Sequence, residues 1–307
     1  MKKTAFLTLL SAGSFFFSHA QYALSLDGAS SYLEVPDNNA IDLSGNFTLE
    51  TWVYPTGQGS GGVQGGMLLN KENSYEIARF GDGSIQYAFS ANGAGTDWTW
   101  VNTAAILPLN SWSHVALVKS GTSIIIYLNG KSVFTNNTAP ATLTANASTL
   151  RLGNRTNNSQ ILQGYLDETR IWNTARTQAE IRANLFNRNL SNSASGLVAY
   201  YRMNEGSGTV TANSCSTTGS ALNANLINSP AWVASPIQYA SNALSFDGTN
   251  DYVDVPHNSV QDISSAITLE AWVYATKNSG TQNVICKSSN SQNTGYIFPR
   301  TDDGWSN

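Results

Sequence analysis

Trp98-Thr99-Trp100 sets two indoles on one face of an extended segment, since alternate side chains of a strand point the same way. An indole offers a broad apolar face with a polar edge, which is the chemistry that holds a sugar ring. Asn92, Asp97 and Asn102 are polar neighbours of the pair, and Tyr75 and Arg79 supply a further ring and a guanidinium. Two fates are open to Trp98 and Trp100: a binding platform, or the core, where large apolar side chains more often end. His114 and His257 are the histidines that follow residue 20, and neither stands in a Ser/His/Asp or Cys/His pattern. Residues 57–66 are rich in glycine but lack the lysine and following helix of a phosphate-binding loop. Cys215 and Cys286 have no metal-ligand spacing, and sequence leaves open whether they pair.

Elements must position these groups, and composition bounds what the elements are. Of the 307 residues 41% are hydrophobic and 10% aromatic, enough for packed cores, while only 12% are charged. Ser, Thr, Asn and Gly fill the gap and favour turns and strands over helices. A net charge of −4 without a basic block excludes the electrostatic footprint of a nucleic-acid binder. Residues 1–20 read as a secretory signal: Lys2 and Lys3, an apolar run over 5–17, then Ser18-His19-Ala20 as a small-x-small cleavage site. That run is too short to span a bilayer, so an exported chain without membrane insertion is expected, secreted or at the cell surface.

The chain repeats itself. Residues 23–54 align without a gap to 243–274 at an offset of 220, with 17 of 32 positions identical. Tyr75, Arg79, Asp82 and Gly83 recur as Tyr296, Arg300, Asp303 and Gly304. Residues 87–172 have no counterpart in the second copy. Half a sandwich leaves open strand edges, so the second copy is expected to be truncated.

Within the first copy, residues 32–35, 48–54, 113–119, 123–128, 131–135 and 164–172 read as strands from their apolar, aromatic and β-branched patterns. Asn129-Gly130 is a hairpin turn, because both residues tolerate positive φ. Thr177 and Glu180 have capping-box spacing and open a short amphipathic helix toward residue 190. The expected organisation is a signal over 1–20, a β-sandwich over 21–175, a helix and linker over 176–196, and a truncated second sandwich over 197–307. The fold class is all-β: antiparallel jelly-roll sandwiches in tandem, with one short helix between them.

The stretches ALSLDGASSYLEVP, FTLETWVY, SWSHVALVKSGTSIIIYLNG, LRLGN, GYLDETRIWNTARTQAEI and GLVAYYRMNEGSG resemble the laminin-G-like jelly-roll modules of secreted bacterial multidomain proteins, within the concanavalin A-like lectin/glucanase superfamily. The resemblance implies Trp52, Trp112 and Trp172 in the core, and a carbohydrate-binding or adhesion role. It also implies a calcium ion held near the chain ends by Asp27, the Gly28 region and Asp167, should the first and last strands lie side by side. Glucanases of this fold carry acids in an E-x-D-x-x-E run on one strand; that run is absent here, and Asp167 and Glu168 are adjacent. The expectation is a non-catalytic binder of extracellular polysaccharide or cell-surface glycoconjugates through Trp98, Trp100, Tyr75 and Arg79, with calcium as its cofactor. The alternatives are a protein-adhesion or structural module, and an accessory region of a larger hydrolase.

Overall fold

The computed structural model describes residues 22–235 except 189, and in a second unit residues 244, 246–257, 259–263, 266–267, 269, 271, 273, 275, 280, 282–289, 292–301 and 304–305. Residues 1–20, which read as a signal in the sequence, lie outside the described residues. Contacts divide the chain into Met1–Ala243 and Leu244–Asn307.

The first unit opens with β1 (Tyr22–Asp27), β2 (Tyr32–Val35), β3 (Phe47–Pro55) and β4 (Gly66–Lys71). β5 (Tyr75–Arg79), β6 (Ser84–Phe89), β7 (Thr99–Ile106) and β8 (Ser113–Ser120) follow. Next come β9 (Ser123–Leu128), β10 (Lys131–Asn136), β11 (Leu150–Leu152) and β12 (Gln163–Trp172). After helix α1 (Gln178–Asn184) the unit closes with β13 (Leu197–Tyr201), β14 (Val210–Thr211), β15 (Ala224–Ile227) and β16 (Ala231–Ala234).

These strands form two antiparallel sheets. Sheet A runs β10-β9-β8-β3-β12-β1-β16 with β13 added beside β12, and sheet B runs β14-β15-β2-β11-β4-β5-β6-β7. Alternation along each strand fills the space between them. Leu24, Leu49, Val53, Leu117, Ile126 and Leu166 from sheet A meet Leu33, Val35, Leu69, Ile77, Tyr87 and Leu152 from sheet B in one core. Asn129 and Gly130 turn β9 into β10 with φ of 51° and 72°, as the Asn-Gly pair predicts.

The expected module boundary near residue 196 is corrected by the pairing. β13 pairs with β12 (Arg170↔Tyr200), β15 with β2 (Leu226↔Leu33) and β16 with β1 (Leu24↔Trp232), so residues 197–234 complete the first sandwich. The physical reason lies at the open edges: β1 and β2 each need a second neighbour, and Leu222, Ala224 and Leu226 bring apolar surface to the shared core. Nor does the helix sit between copies. Thr177 and Glu180 form the expected capping box, and Ile181 then packs on Ala116, Val118 and Tyr127 against the outside of sheet A.

The second unit contains β17 (Gln282–Ser289), β18 (Gln292–Thr301) and β19 (Gly304–Trp305) in one antiparallel meander. Lys287 pairs with Asp262, the repeat counterpart of Asp42, which pairs with Lys71 in the first unit. Leu244, Tyr252, Val253 and Val255 are 71%, 81%, 60% and 64% exposed, whereas their counterparts Leu24, Tyr32, Leu33 and Val35 are buried. In the first unit β11, β12, β15 and β16 cover those positions. Among the described residues, the second unit does not form a sandwich.

Leu226→Ala tests the assignment of residues 197–234. It removes a buried side chain from the core, and a loss of about 2–4 kcal/mol in the first unfolding transition of a urea titration is expected. An unchanged transition would place this segment outside the sandwich.

Candidate functional site

The outward face of sheet B carries the groups suited to recognition. Register sets Asn225, Glu34, Arg151, Asn70, Glu76, Ala88 and Trp100 opposite one another in a single row across the sheet. Residues 153–162 lie over this row, anchored from below. Arg151 Nε donates to Glu34 at 2.8 Å, and its Nη1 donates to the carbonyls of Arg155 and Thr156. Asn70 Oδ1 accepts from the Thr156 amide and hydroxyl. Arg155 Nη2 donates to Glu72 at 2.9 Å, and the guanidinium lies 5.6 Å from the Trp98 ring centroid.

Trp98 and Trp100 meet edge to face at 6.1 Å, and Trp100 meets Phe80 at 5.0 Å, all three half-buried. The indoles are thus on one face, as their spacing predicts. They are not core residues. β7 ends sheet B, so the strip borders solvent along a strand edge. Val63, 85% exposed, sits on the loop whose carbonyl accepts from the Gly81 amide beside Phe80.

Tyr75 and Arg79 do not join this strip. Tyr75 is fully buried, stacks near Phe47 and donates its hydroxyl to Ile41 O at 2.9 Å. Arg79 is buried too, donating from Nε to Leu107 O and from Nη1 to Gln58 and Phe80. Their recurrence in the repeat reflects packing and loop anchoring.

Asp27, Gly28 and Asp167 do not form one oxygen cage. Asp27 faces Gln163, and Asp167 lies four residues further along β12, about 13 Å away. Asp27 Oδ1 accepts from the amides of Ala29, Ser30 and Ser31 and so closes the β1–β2 turn. Burial pushes its carboxyl up, but those amides outweigh it and hold the group well below the usual carboxylate range. Gly28 has φ 72°, and a Cβ there would lie 2.7 Å from Gln163 Cβ. Asp167 is buried and accepts from Arg188 Nη2 at 2.8 Å and Ser235 Oγ at 2.9 Å. Among the described residues, no group of three His, Cys, Asp or Glu side chains is placed to hold a metal ion.

Trp52 and Trp172 are buried as expected, donating to Leu185 O and Glu50 Oε1. Trp112 is not in the core: it is half-buried and lies 5.6 Å from Tyr54 and 6.3 Å from Tyr165 on the outside of sheet A. Tyr54 and Tyr165 stack at 5.4 Å with a 25° interplanar angle, so their faces are spent on each other. Cys215 is buried, with Sγ donating to Leu197 O.

Under the loop, two carboxyls share Asn70 Nδ2 as a donor. Burial pushes Glu76 well above the ordinary range; Arg155 opposes this and the neighbouring Glu72 reinforces it. Glu72 is pushed up by burial but held low overall by Arg155, so Glu76 carries the proton and Glu72 the charge. The unfolded chain ionises this position near pH 4.3, earlier than the folded one. Stability from Glu76 is therefore full below that pH and is lost as pH rises toward the folded value. Glu76→Gln should flatten the fall in urea midpoint between pH 4 and 7; an unchanged slope would show that Glu76 is ionised in the fold.

A candidate carbohydrate-binding protein from Bacteroides ovatus superposes with a TM-score of 0.57 at 17% identity, covering 73% of this chain and 62% of that one. The chain therefore spans less than two thirds of that relative. Domain 4 of an extracellular arabinanase from Geobacillus stearothermophilus, solved with arabinotriose, gives 0.43 at 21% identity, covering 52% and 75%. The sialidase CBM40 of Ruminococcus gnavus, bound to α2,3-sialyllactose, gives 0.43 at 11%, covering 52% and 94%. Likeness of fold rests on the first of these. No curated protein sequence matches the chain. The laminin-G-type family model described as the concanavalin A-like lectin/glucanases superfamily matches residues 27–182, and the chain belongs to that family.

Proposed function

We propose that the first unit is a non-catalytic module that binds extracellular glycans on the outward face of sheet B. The observation that carries this reading is the half-buried strip Phe80–Trp100–Trp98 beside the Arg155–Glu72 pair. Sugar rings pair an apolar face with polar edges, and this strip offers aromatic surface next to a charged and amide-rich loop. The two indoles are half-buried rather than enclosed, and they meet edge to face rather than stacked as Tyr54 and Tyr165 are. The signal reading of residues 1–20 supports an extracellular setting. In the same reading, residues 244–307 carry the opening of a second module by their repeat.

The test is retention on immobilised polysaccharides, screened across arabinans, galactans, glucans and mucin glycans. Trp98→Ala/Trp100→Ala should weaken the wild-type interaction by about tenfold or more, with the variant still folded and its unfolding midpoint lowered only by the ring contacts to Phe80 and Arg155 that it loses. Full binding by a folded double variant would sink the platform.

A further inference from the structure

A second, smaller feature lies on the same sheet face. A cavity of about 260 Å³ opens between the β1–β2 turn, the loop after β11 and the β15–β16 turn, lined by Ser30, Tyr32, Asn154, Asn158, Ile161 and Asn228. Three of these are asparagines drawn from two separate loops. Their amides are not fully used by the protein. Asn154 is completely buried; its Nδ2 donates to Asn158 Oδ1 at 3.3 Å, and its Oδ1 has no hydrogen-bond partner. A buried amide oxygen without a partner costs free energy, which a bound donor would offset. Asn228 Nδ2 donates to Ser30 O at 2.9 Å, leaving Oδ1 as an acceptor, while Asn158 Oδ1 accepts from Arg151 Nη1 at 3.0 Å, leaving Nδ2 as a donor.

The walls also say what kind of molecule fits. Arg151 lies 4.5 Å from the Tyr32 ring centroid, but its charge is matched by Glu34 at 2.8 Å, so no unbalanced charge faces the cavity. Tyr32 and Ile161 give an apolar wall opposite the amides. The volume falls below the ~300–1,000 Å³ typical of drug-sized ligands.

We propose that this cavity is a binding site for a single uncharged sugar ring, separate from the tryptophan strip. The proposal rests on the glycan-binding reading for its class of ligand and deepens it by adding a pocket that takes one ring. Two amide acceptors, Asn154 Oδ1 and Asn228 Oδ1, and one amide donor, Asn158 Nδ2, match the hydroxyls of a neutral sugar, each of which can donate and accept. A carboxylated sugar would meet an array with no spare positive charge.

Asn158 and Asn228 have φ of 57° and 56°. Glycine suits that backbone region, so Asn158→Gly/Asn228→Gly removes both amides without straining the fold. Saturation-transfer NMR with arabinose, galactose, glucose, N-acetylglucosamine and galacturonic acid would be run on the whole chain, beside polysaccharide retention. The expected result is saturable binding of at least one neutral sugar and none of galacturonic acid. That binding should weaken about tenfold in the glycine variant and stay unchanged in Trp98→Ala/Trp100→Ala. Absence of all neutral sugars, preference for galacturonic acid, or full binding by the glycine variant would overturn the pocket. Monosaccharide binding lost only with the tryptophans would overturn the pocket and keep the strip. Pocket-dependent monosaccharide binding with polysaccharide retention indifferent to the tryptophans would keep the pocket and remove the strip.

Discussion

A buried set of ion pairs and charge-assisted hydrogen bonds on the outside of β12 governs how the first unit is closed. Arg170 Nη2 donates to Glu168 at 2.7 Å, Arg188 Nη2 to Asp167 at 2.8 Å, and Trp172 Nε1 to Glu50 at 2.7 Å. Buried charges are tolerated only with partners, and removing one partner typically costs about 3–5 kcal/mol. Burial pulls on the Arg170 proton, but Glu168, Tyr200 and Glu50 hold it more firmly than water does. A bulge makes the arrangement possible. Asp167 pairs with Trp52 and Arg170 with Glu50, so Glu168 and Thr169 together oppose Thr51. Glu168 takes φ 49°, a strained value for a residue with a Cβ. The extra residue keeps Asp167 and Arg170 on the same outward side, where the segment after α1 can reach both.

That closure divides the molecule's labour. The carbonyls of Asn184 and Asn187 accept from Arg170, while Leu185 and Phe186 pack on Trp52, so residues 178–201 are drawn onto sheet A. The outward face of sheet B is covered differently, by a loop anchored through side chains rather than packed through an apolar helix face. Asn70, Glu76 and Ala88 of its polar row are buried beneath that loop, while the half-buried tryptophans and the amide-lined cavity lie beside it. In the proposed reading, recognition belongs to sheet B and structural closure to sheet A.

Much of the sandwich was legible in the sequence because its signals are local. Alternation marks β2 and β3, short apolar runs bounded by turn residues mark β8 and β9, Asn129-Gly130 marks a turn, and Thr177 and Glu180 mark a helix start. Long-range choices were not legible. Residues 197–234 look like the opening of a new module, and only pairing shows that β1, β2 and β12 take them. Side-chain type does not reveal which charged or polar groups the fold buries. Lys119 is fully buried, its Nζ donating to the carbonyls of Gly45, Gly121 and Ala141 at 3.3, 2.7 and 2.9 Å, and burial lowers its pKa. Tyr75 and Arg79 look like ligand residues but serve Ile41 and Leu107. Asn154, Asn158 and Asn228 carry no spacing signal, since loops separated in sequence bring them together.

Hydrogen–deuterium exchange with and without a retained polysaccharide would test the assignment of recognition to sheet B most directly. Slower exchange on sheet B, over residues 96–103 and 153–162 and at the turns that carry Ser30 and Asn228, is the predicted result. Protection centred instead on residues 53–55, 110–113 and 164–166, around Tyr54, Trp112 and Tyr165, would contradict it and move recognition to sheet A.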